Sequence, residues 1–374
     1  LIPEPIMGKT PPLEECLAEG TELRQTYDTD PVAKEVLDTA RGLEGNIRAF
    51  GMHAAAVVIS DRDLTQVVPL LLSDSRKVDE HGKKIYNQVT QFPMGPVEEL
   101  GLLKMDFLGL RNLDVIDDAL AIIERSSGER IDIAQVPLDD RKTYEMLARG
   151  DSIGVFQFES EGMRKALRQV VPTEFDDLIA LVALYRPGAM DQIPTYAQGK
   201  HDPSMIRIPD PRLEPIIGPT KGVILYQEQS MRISRDLAGF TPGQADDLRK
   251  AIGKKKRDKL IELEPLFRRG ATSSGTAPNV VDQVWHALYT SGNYSFNKSH
   301  AACYGLVSYR TAWLKANHPA EYMAALLSSV LPSKDKVRFF LNVCRDMGIP
   351  VLPSDDVRAS RFTVRDGAIR SPAT

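Results

Sequence analysis

The segment Gly101-Leu-Leu-Lys-Met-Asp-Phe-Leu-Gly-Leu-Arg111 sets one charged pair into an otherwise apolar run. Strand side chains alternate between faces, so Leu103, Met105 and Phe107 share one face and Leu102, Lys104, Asp106 and Leu108 share the other. Lys104 and Asp106 then lie side by side, roughly 7 Å apart at strand rise. Gly109 ends the strand, and a helical pattern starts near Asn112. A carboxylate near the end of a buried strand is where metal-dependent phosphoryl transfer places a ligand. A partly buried Lys–Asp pair with only a structural role fits the same residues, because one carboxylate does not make a metal site.

The other concentration of charge is Arg249–Lys259, with seven basic residues against one acidic. Thr241 and Pro242 predict a helix N-cap and first residue, Asp246 and Asp247 suit its first turns, and Gly253 is a natural stop. Lys254, Lys255, Lys256 and Arg257 are therefore expected at a fixed turn after Arg249 and Lys250. Such a cationic corner suits a triphosphate or a nucleic-acid backbone. Asp246 can equally pair with Lys250 four residues on and leave a solvated face.

The net charge of −4 means that any basic surface is local. With 374 residues and 42% apolar side chains, two to three domains with real cores are expected. Three scattered cysteines, Cys16, Cys303 and Cys344, argue against a disulfide framework and a zinc site. No run approaches membrane-spanning length and no basic-then-apolar leader opens the chain, so a cytoplasmic protein is expected. The chain begins at Leu1 and stops in a strand-like run, and is expected to be a fragment.

Along the chain, residues 1–45 are expected to be helical and loop-like, with an extended entry marked by Pro3 and Pro5, and a helix from Pro31 to Arg41. Residues 53–60 predict a buried strand neighbouring the Lys104/Asp106 strand, and 61–98 a polar excursion with a hairpin. Beyond Asn112 the pattern is almost wholly helical, with Asp139-Asp140 capping a helix, a short strand-like run at 151–158, and Thr173–Asp176 as a capping box. The tandem acids at 117–118, 139–140, 176–177 and 246–247 are expected at helix starts.

Three further clusters stand out. Tyr226-Gln-Glu-Gln229 opens a helix and offers an aromatic platform, and Arg186 precedes Pro187-Gly188 at a helix end, where it can satisfy carbonyls or bind a ligand. Phe296-Asn-Lys-Ser-His300 packs an amide, an ammonium, a hydroxyl and an imidazole ahead of a helix. Asn297 or Ser299 can cap it, whereas Lys298 there is unfavourable unless something negative is bound.

These motifs, in this order, resemble the C-family bacterial replicative DNA polymerases, the polymerase III alpha subunits. The resemblance rests on Gly51-Met-His-Ala-Ala-Ala-Val-Val-Ile-Ser60, Lys104-Met-Asp-Phe-Leu-Gly-Leu-Arg111, Gly154-Val-Phe-Gln-Phe-Glu-Ser160, Ala183-Leu-Tyr-Arg-Pro-Gly188, Tyr226-Gln-Glu-Gln229, Arg249-Lys-Ala-Ile-Gly-Lys-Lys-Lys256, Asn297-Lys-Ser-His300 and His318-Pro-Ala-Glu-Tyr-Met323. It implies a mostly helical α+β fold: part of a polymerase-beta-like nucleotidyltransferase palm, then a large helical fingers domain. Residues 1–45 are expected to end the thumb and connect to the palm, 46–115 to form the second half of the palm, 116–330 the fingers, and 331–374 the start of a helix-hairpin-helix and clamp-binding region.

The resemblance also implies template-directed transfer of a deoxynucleotide from a dNTP to a primer 3′-hydroxyl, with two Mg²⁺ ions. Asp106 matches the third catalytic aspartate and is the expected metal ligand, with Lys104 near the phosphates. Arg249, Lys250, Lys254, Lys255, Lys256, Asn297, Lys298, Ser299 and His300 are expected on the triphosphate, and Arg186 and Tyr226 near the nascent pair. The other two aspartates belong to an Asp-x-Asp strand that is not read ahead of Asp106 and is expected outside these residues, so the chain alone is expected to be inactive. Implied partners are primer–template DNA, the sliding clamp and other replisome subunits. The competing expectation is a non-catalytic nucleic-acid-binding or assembly fragment, or an inactive relative. A P-loop or kinase-like glycine loop is not found.

Overall fold

The apolar run at 56–59 and the alternating run at 103–106 form the antiparallel strands Ala56–Ile59 and Leu103–Asp106. The computed structural model describes residues 2, 11–47, 49–254 and 256–373; Lys255 and the Pro3–Pro5 entry lie outside them. Ala56 pairs with Asp106 and Val58 with Lys104, so the charged pair shares a face with Ala56 and Val58. The opposite face carries Val57, Ile59, Leu103 and Met105, exposed at 51, 44, 57 and 41%. The expectation of buried strands is thus corrected. A two-stranded ribbon cannot cover its own faces, and no third strand joins it among the described residues.

The expected hairpin pairs Leu70–Val78 with Lys84–Thr90. Asp30 caps the helix Pro31–Leu43, its Oδ1 accepting the Val32 N–H at 2.9 Å with proline at the first helical position. These elements belong to one compact unit, Leu1–Gly109; a second unit runs from Leu110 to Thr374.

The second unit is mostly helical. Phe175–Leu184 packs against the long helix Lys298–Asn317, and its apolar residues from Leu178 to Leu184 are buried all round. Arg111–Ser127 packs with Pro319–Ser329, Lys334–Asp346 and the three short strands Val351–Leu352, Thr363–Arg365 and Ala368–Arg370 around a shared apolar core. A third core joins Gln227–Ala238, Pro242–Gly253, Arg257–Ser273 and Pro278–Ser291. Gly270 permits the close approach there, since a Cβ would stand 2.0 Å from the Ala238 carbonyl oxygen.

Three local expectations change. Residues 151–158 form successive turns instead of a strand: Ser152, Val155 and Phe158 are buried at every third position, and Ser152 Oγ donates to the Phe158 carbonyl at 2.6 Å. The reciprocal cap of Phe175–Leu184 is built on Glu174 and Asp177, one residue beyond the expected box, because Asp177 Oδ2 accepts the N–H of Thr173 and of Glu174. Asp140 is an N-cap as expected, but Asp117 and Asp118 sit mid-helix and Asp246 and Asp247 in a second turn. Two of those acids meet cations: Asp118 pairs with Arg361 at 2.8 Å, and Asp246 with Arg249 and Lys250.

Candidate functional site

In the first unit the alternation delivers the charged pair as expected. Lys104 Nζ lies 2.5 Å from Asp106 Oδ1, with side-chain exposures of 16% and 46%. Asp106 ends its strand with an open carboxylate. The hydrogen bond from Lys104 holds that carboxyl below the ordinary Asp range, helped by the Lys104 charge and by His53. A depressed carboxyl favours the ion-paired form above the ordinary Asp pKa, and the pairing is lost as pH falls through the lower midpoint. Lys104→Met is expected to raise the Asp106 midpoint toward the ordinary Asp range, as read by ¹³C NMR titration; an unmoved midpoint would remove Lys104 as the cause.

Among the described residues no three His, Cys, Asp or Glu side chains gather as a metal site. The Asp-x-Asp spacing occurs twice ahead of Asp106, at Asp28-Thr-Asp30 and Asp61-Arg-Asp63, but on a helix end and a turn, not a strand. Asp63 is occupied locally, its Oδ1 accepting Thr65 N–H at 2.9 Å and Thr65 Oγ1 at 2.7 Å. One carboxylate beside an ammonium does not fit a resident Mg²⁺.

In the second unit, the helix start at Tyr226 gathers most of the remaining candidates. Gln227 joins two of them: its N–H donates to the Phe296 carbonyl at 2.9 Å, and its Oε1 accepts from Arg249 Nη1 at 3.2 Å. Asn297 caps Lys298–Asn317 by accepting the His300 N–H at 2.8 Å. The negative group that Lys298 calls for belongs to the chain itself. Glu228 Oε2 accepts the Lys298 N–H at 3.0 Å, and Glu228 Oε1 accepts from Asn297 Nδ2 at 3.0 Å. This corrects the expectation of free N–H groups awaiting an external anion. Sequence reasoning missed Glu228, seventy positions away from Lys298; the unbalanced lysine was its signal.

Tyr226 is buried, so it is not an open platform. Burial pushes its phenol up, and Lys298 Nζ lies 5.4 Å from its ring centre. Arg186 satisfies carbonyls, Ala183 at 3.1 Å and Tyr294 at 2.6 Å, and lies 4.0 Å over the Phe296 ring. Burial lowers its pKa. His300 stacks on Tyr304 at 4.2 Å, while Ser299 is exposed.

The helix Pro242–Gly253 begins as read, with Thr241 accepting the Gln244 N–H. Asp246 takes Arg249 at 2.8 Å and Lys250 at 2.7 Å, which holds its carboxyl below the usual range and partly neutralises both cations. Lys254 caps this helix and Lys256 precedes the next; neither has a carboxylate partner among the described residues. Lys255, between them, lies outside the described residues.

Two family models match the chain: the bacterial DNA polymerase III alpha NTPase domain over residues 3–109 and the bacterial DNA polymerase III alpha subunit finger domain over 112–275. The DNA polymerase III subunit alpha of Mycobacterium tuberculosis is 45% identical over 357 residues, covering 94% of this chain and 29% of its own length. That of Thermus aquaticus is 44% identical over 353 residues, 93% of this chain and 28% of its own length. That of Xylella fastidiosa is 43% identical over 352 residues, 91% and 29% respectively. The chain belongs to the bacterial DNA polymerase III alpha subunit family, and spans less than a third of the length of these relatives. No helix among the described residues is long and apolar enough to cross a membrane.

Proposed function

We propose that the chain is part of a DNA-directed DNA polymerase that adds deoxynucleotides from dNTPs to a primer 3′-hydroxyl on a DNA template. The observation that carries this reading is Asp106, a carboxylate set open at the end of a paired strand with a lysine fixed beside it, in a chain of this family. Residues 1–45 would then end a thumb, 46–115 belong to a palm, 116–330 to fingers, and 331–374 to the region leading to the sliding-clamp and replisome contacts. In the longer polymerase Asp106 would supply one carboxylate toward Mg²⁺, and the remaining ligands would have to come from outside the described residues, among which no group of three His, Cys, Asp or Glu side chains gathers.

Lys254, Lys256 and Arg249 are the cations assigned to the incoming triphosphate, where they neutralise charge developing on pyrophosphate. Lys250 and Lys255 belong to the same corner. Asn297, Lys298, Ser299 and His300 are assigned beside it, and their occupation by Glu228 supports a positioning role for the turn over direct phosphate contact. Template sequence is read by base pairing, not by side chains.

Lys254→Ala, made in a polymerase chain of the relatives' length, is expected to raise the nucleotide KM and lower kcat together. One charge-assisted contact is worth about 1.5–3 kcal/mol, so kcat/KM should fall roughly ten- to a hundredfold. Arg249→Ala should do less, since Asp246 and Gln227 already hold it. If the corner holds the DNA backbone instead, nucleotide KM stays level while the salt slope of DNA binding shrinks by about one per charge. An unchanged KM for Lys254→Ala rules out the triphosphate assignment.

A further inference from the structure

The second unit holds a cavity of about 500 Å³ that uses none of the residues assigned above. Lys315, in the last turns of the helix Lys298–Asn317, lines it and is only 4% exposed. Its Nζ donates to the Asp151 carbonyl at 2.7 Å and the Ile153 carbonyl at 2.8 Å. An ammonium has three N–H donors, so one is left over, and no carboxylate lies within ion-pair distance of it among the described residues. Burial lowers Lys315 to about 8; the Asp151 charge opposes this and Arg164 adds to it.

Cations outnumber carboxylates around Lys315. Lys142, Arg149 and Arg164 line the same cavity, against Asp151 and Asp346. Asp151 is already paired with Arg149 at 2.8 Å, and Asp346 is exposed. Arg164 donates to the Gly150 carbonyl at 2.8 Å and reaches Glu161 at 3.2 Å. Cys344, on the packed helix Lys334–Asp346, stays a neutral thiol because burial pushes it up to about 11. The rest of the wall includes the apolar side chains Met146, Val343 and Met347. A buried ammonium held only by neutral carbonyls is costly, and an arriving anion offsets that cost.

We propose that this cavity binds a small phosphate-bearing anion with a flat or apolar body, of which a nucleoside monophosphate is the test case. The phosphate takes the spare N–H of Lys315 and the rim cations Lys142 and Arg149; the body lies on Met146, Val343 and Met347. Nothing in this assignment depends on the polymerase reading.

Calorimetric titration of the whole chain with dAMP tests it, with deoxyadenosine as the control. dAMP binds, and deoxyadenosine binds at least roughly tenfold more weakly, the weight of one charge-assisted contact. Because the bound form needs a protonated Lys315, dAMP affinity falls about tenfold per pH unit above the free lysine's midpoint. Lys315→Met, close in shape, weakens binding roughly ten- to a hundredfold and removes the pH dependence. The exposed double variant Lys142→Ala, Arg149→Ala weakens it without touching the interior, and decides the matter if Lys315→Met fails to fold. Absence of dAMP binding, equal binding of deoxyadenosine, or unchanged affinity in the rim variant overturns the proposal.

Discussion

Asp106→Asn, in a polymerase chain of the relatives' length, is expected to abolish primer extension while leaving DNA affinity nearly unchanged. Asparagine keeps the shape of the side chain and can still accept from Lys104, so the strand pairing Ala56–Asp106 survives. What disappears is the negative charge that the Asp106 carboxylate carries at neutral pH. Removing one group that stabilises charge in a transition state costs about 10²–10³ in rate, and a carboxylate that faces a divalent cation should cost at least as much. A companion measurement uses these 374 residues alone. They should extend no primer, because no group of three His, Cys, Asp or Glu side chains able to hold a metal gathers among the described residues. Full activity of Asp106→Asn, or measurable extension by the short chain, removes Asp106 from the chemistry proposed here.

The Lys104–Asp106 pair was legible because it needs only a period of two within four residues, and backbone geometry supplies that without tertiary help. Its surroundings were not legible. Alternation says that Val57, Ile59, Leu103 and Met105 share a face, but nothing about what covers the face, and here it is open. Helix starts were read well where a cap and a proline coincide, at Asp30-Pro31 and Thr241-Pro242. They were misread by one residue at Glu174, where two frames each offer a polar residue and an acid three positions on. The frame is chosen by a distant partner, Lys200, which only the fold brings to Asp177. Glu228 is the same kind of miss. A local rule showed that Lys298 needs a negative neighbour, and the long-range fold supplies one from inside the chain. The Asp246–Lys250 pairing was legible from its four-residue spacing, and Arg249, three positions from Asp246, joins the same carboxylate.

Asp177 provides the largest expected effect on stability. Its side chain is fully buried, and it accepts from Lys200 Nζ at 2.7 Å, from the Tyr196 hydroxyl at 3.0 Å and from the Thr173 N–H at 2.9 Å. Lys200 is itself only 11% exposed, so water cannot replace the lost carboxylate easily. Asp177→Ala strands a nearly buried ammonium, a buried phenol and the N–H groups before the helix Phe175–Leu184. Breaking a buried ion pair from one side costs about 3–5 kcal/mol. The double change Asp177→Leu, Lys200→Met removes both charges and should cost less than Asp177→Ala alone, because no uncompensated charge remains inside. Both tryptophans, Trp285 and Trp313, lie in the second unit, so urea unfolding followed by their fluorescence reports on that unit. A loss below about 1 kcal/mol for Asp177→Ala would place the pair with exposed salt bridges. A double variant less stable than the single would mean that the charges themselves, and not their pairing, hold the helix start in place.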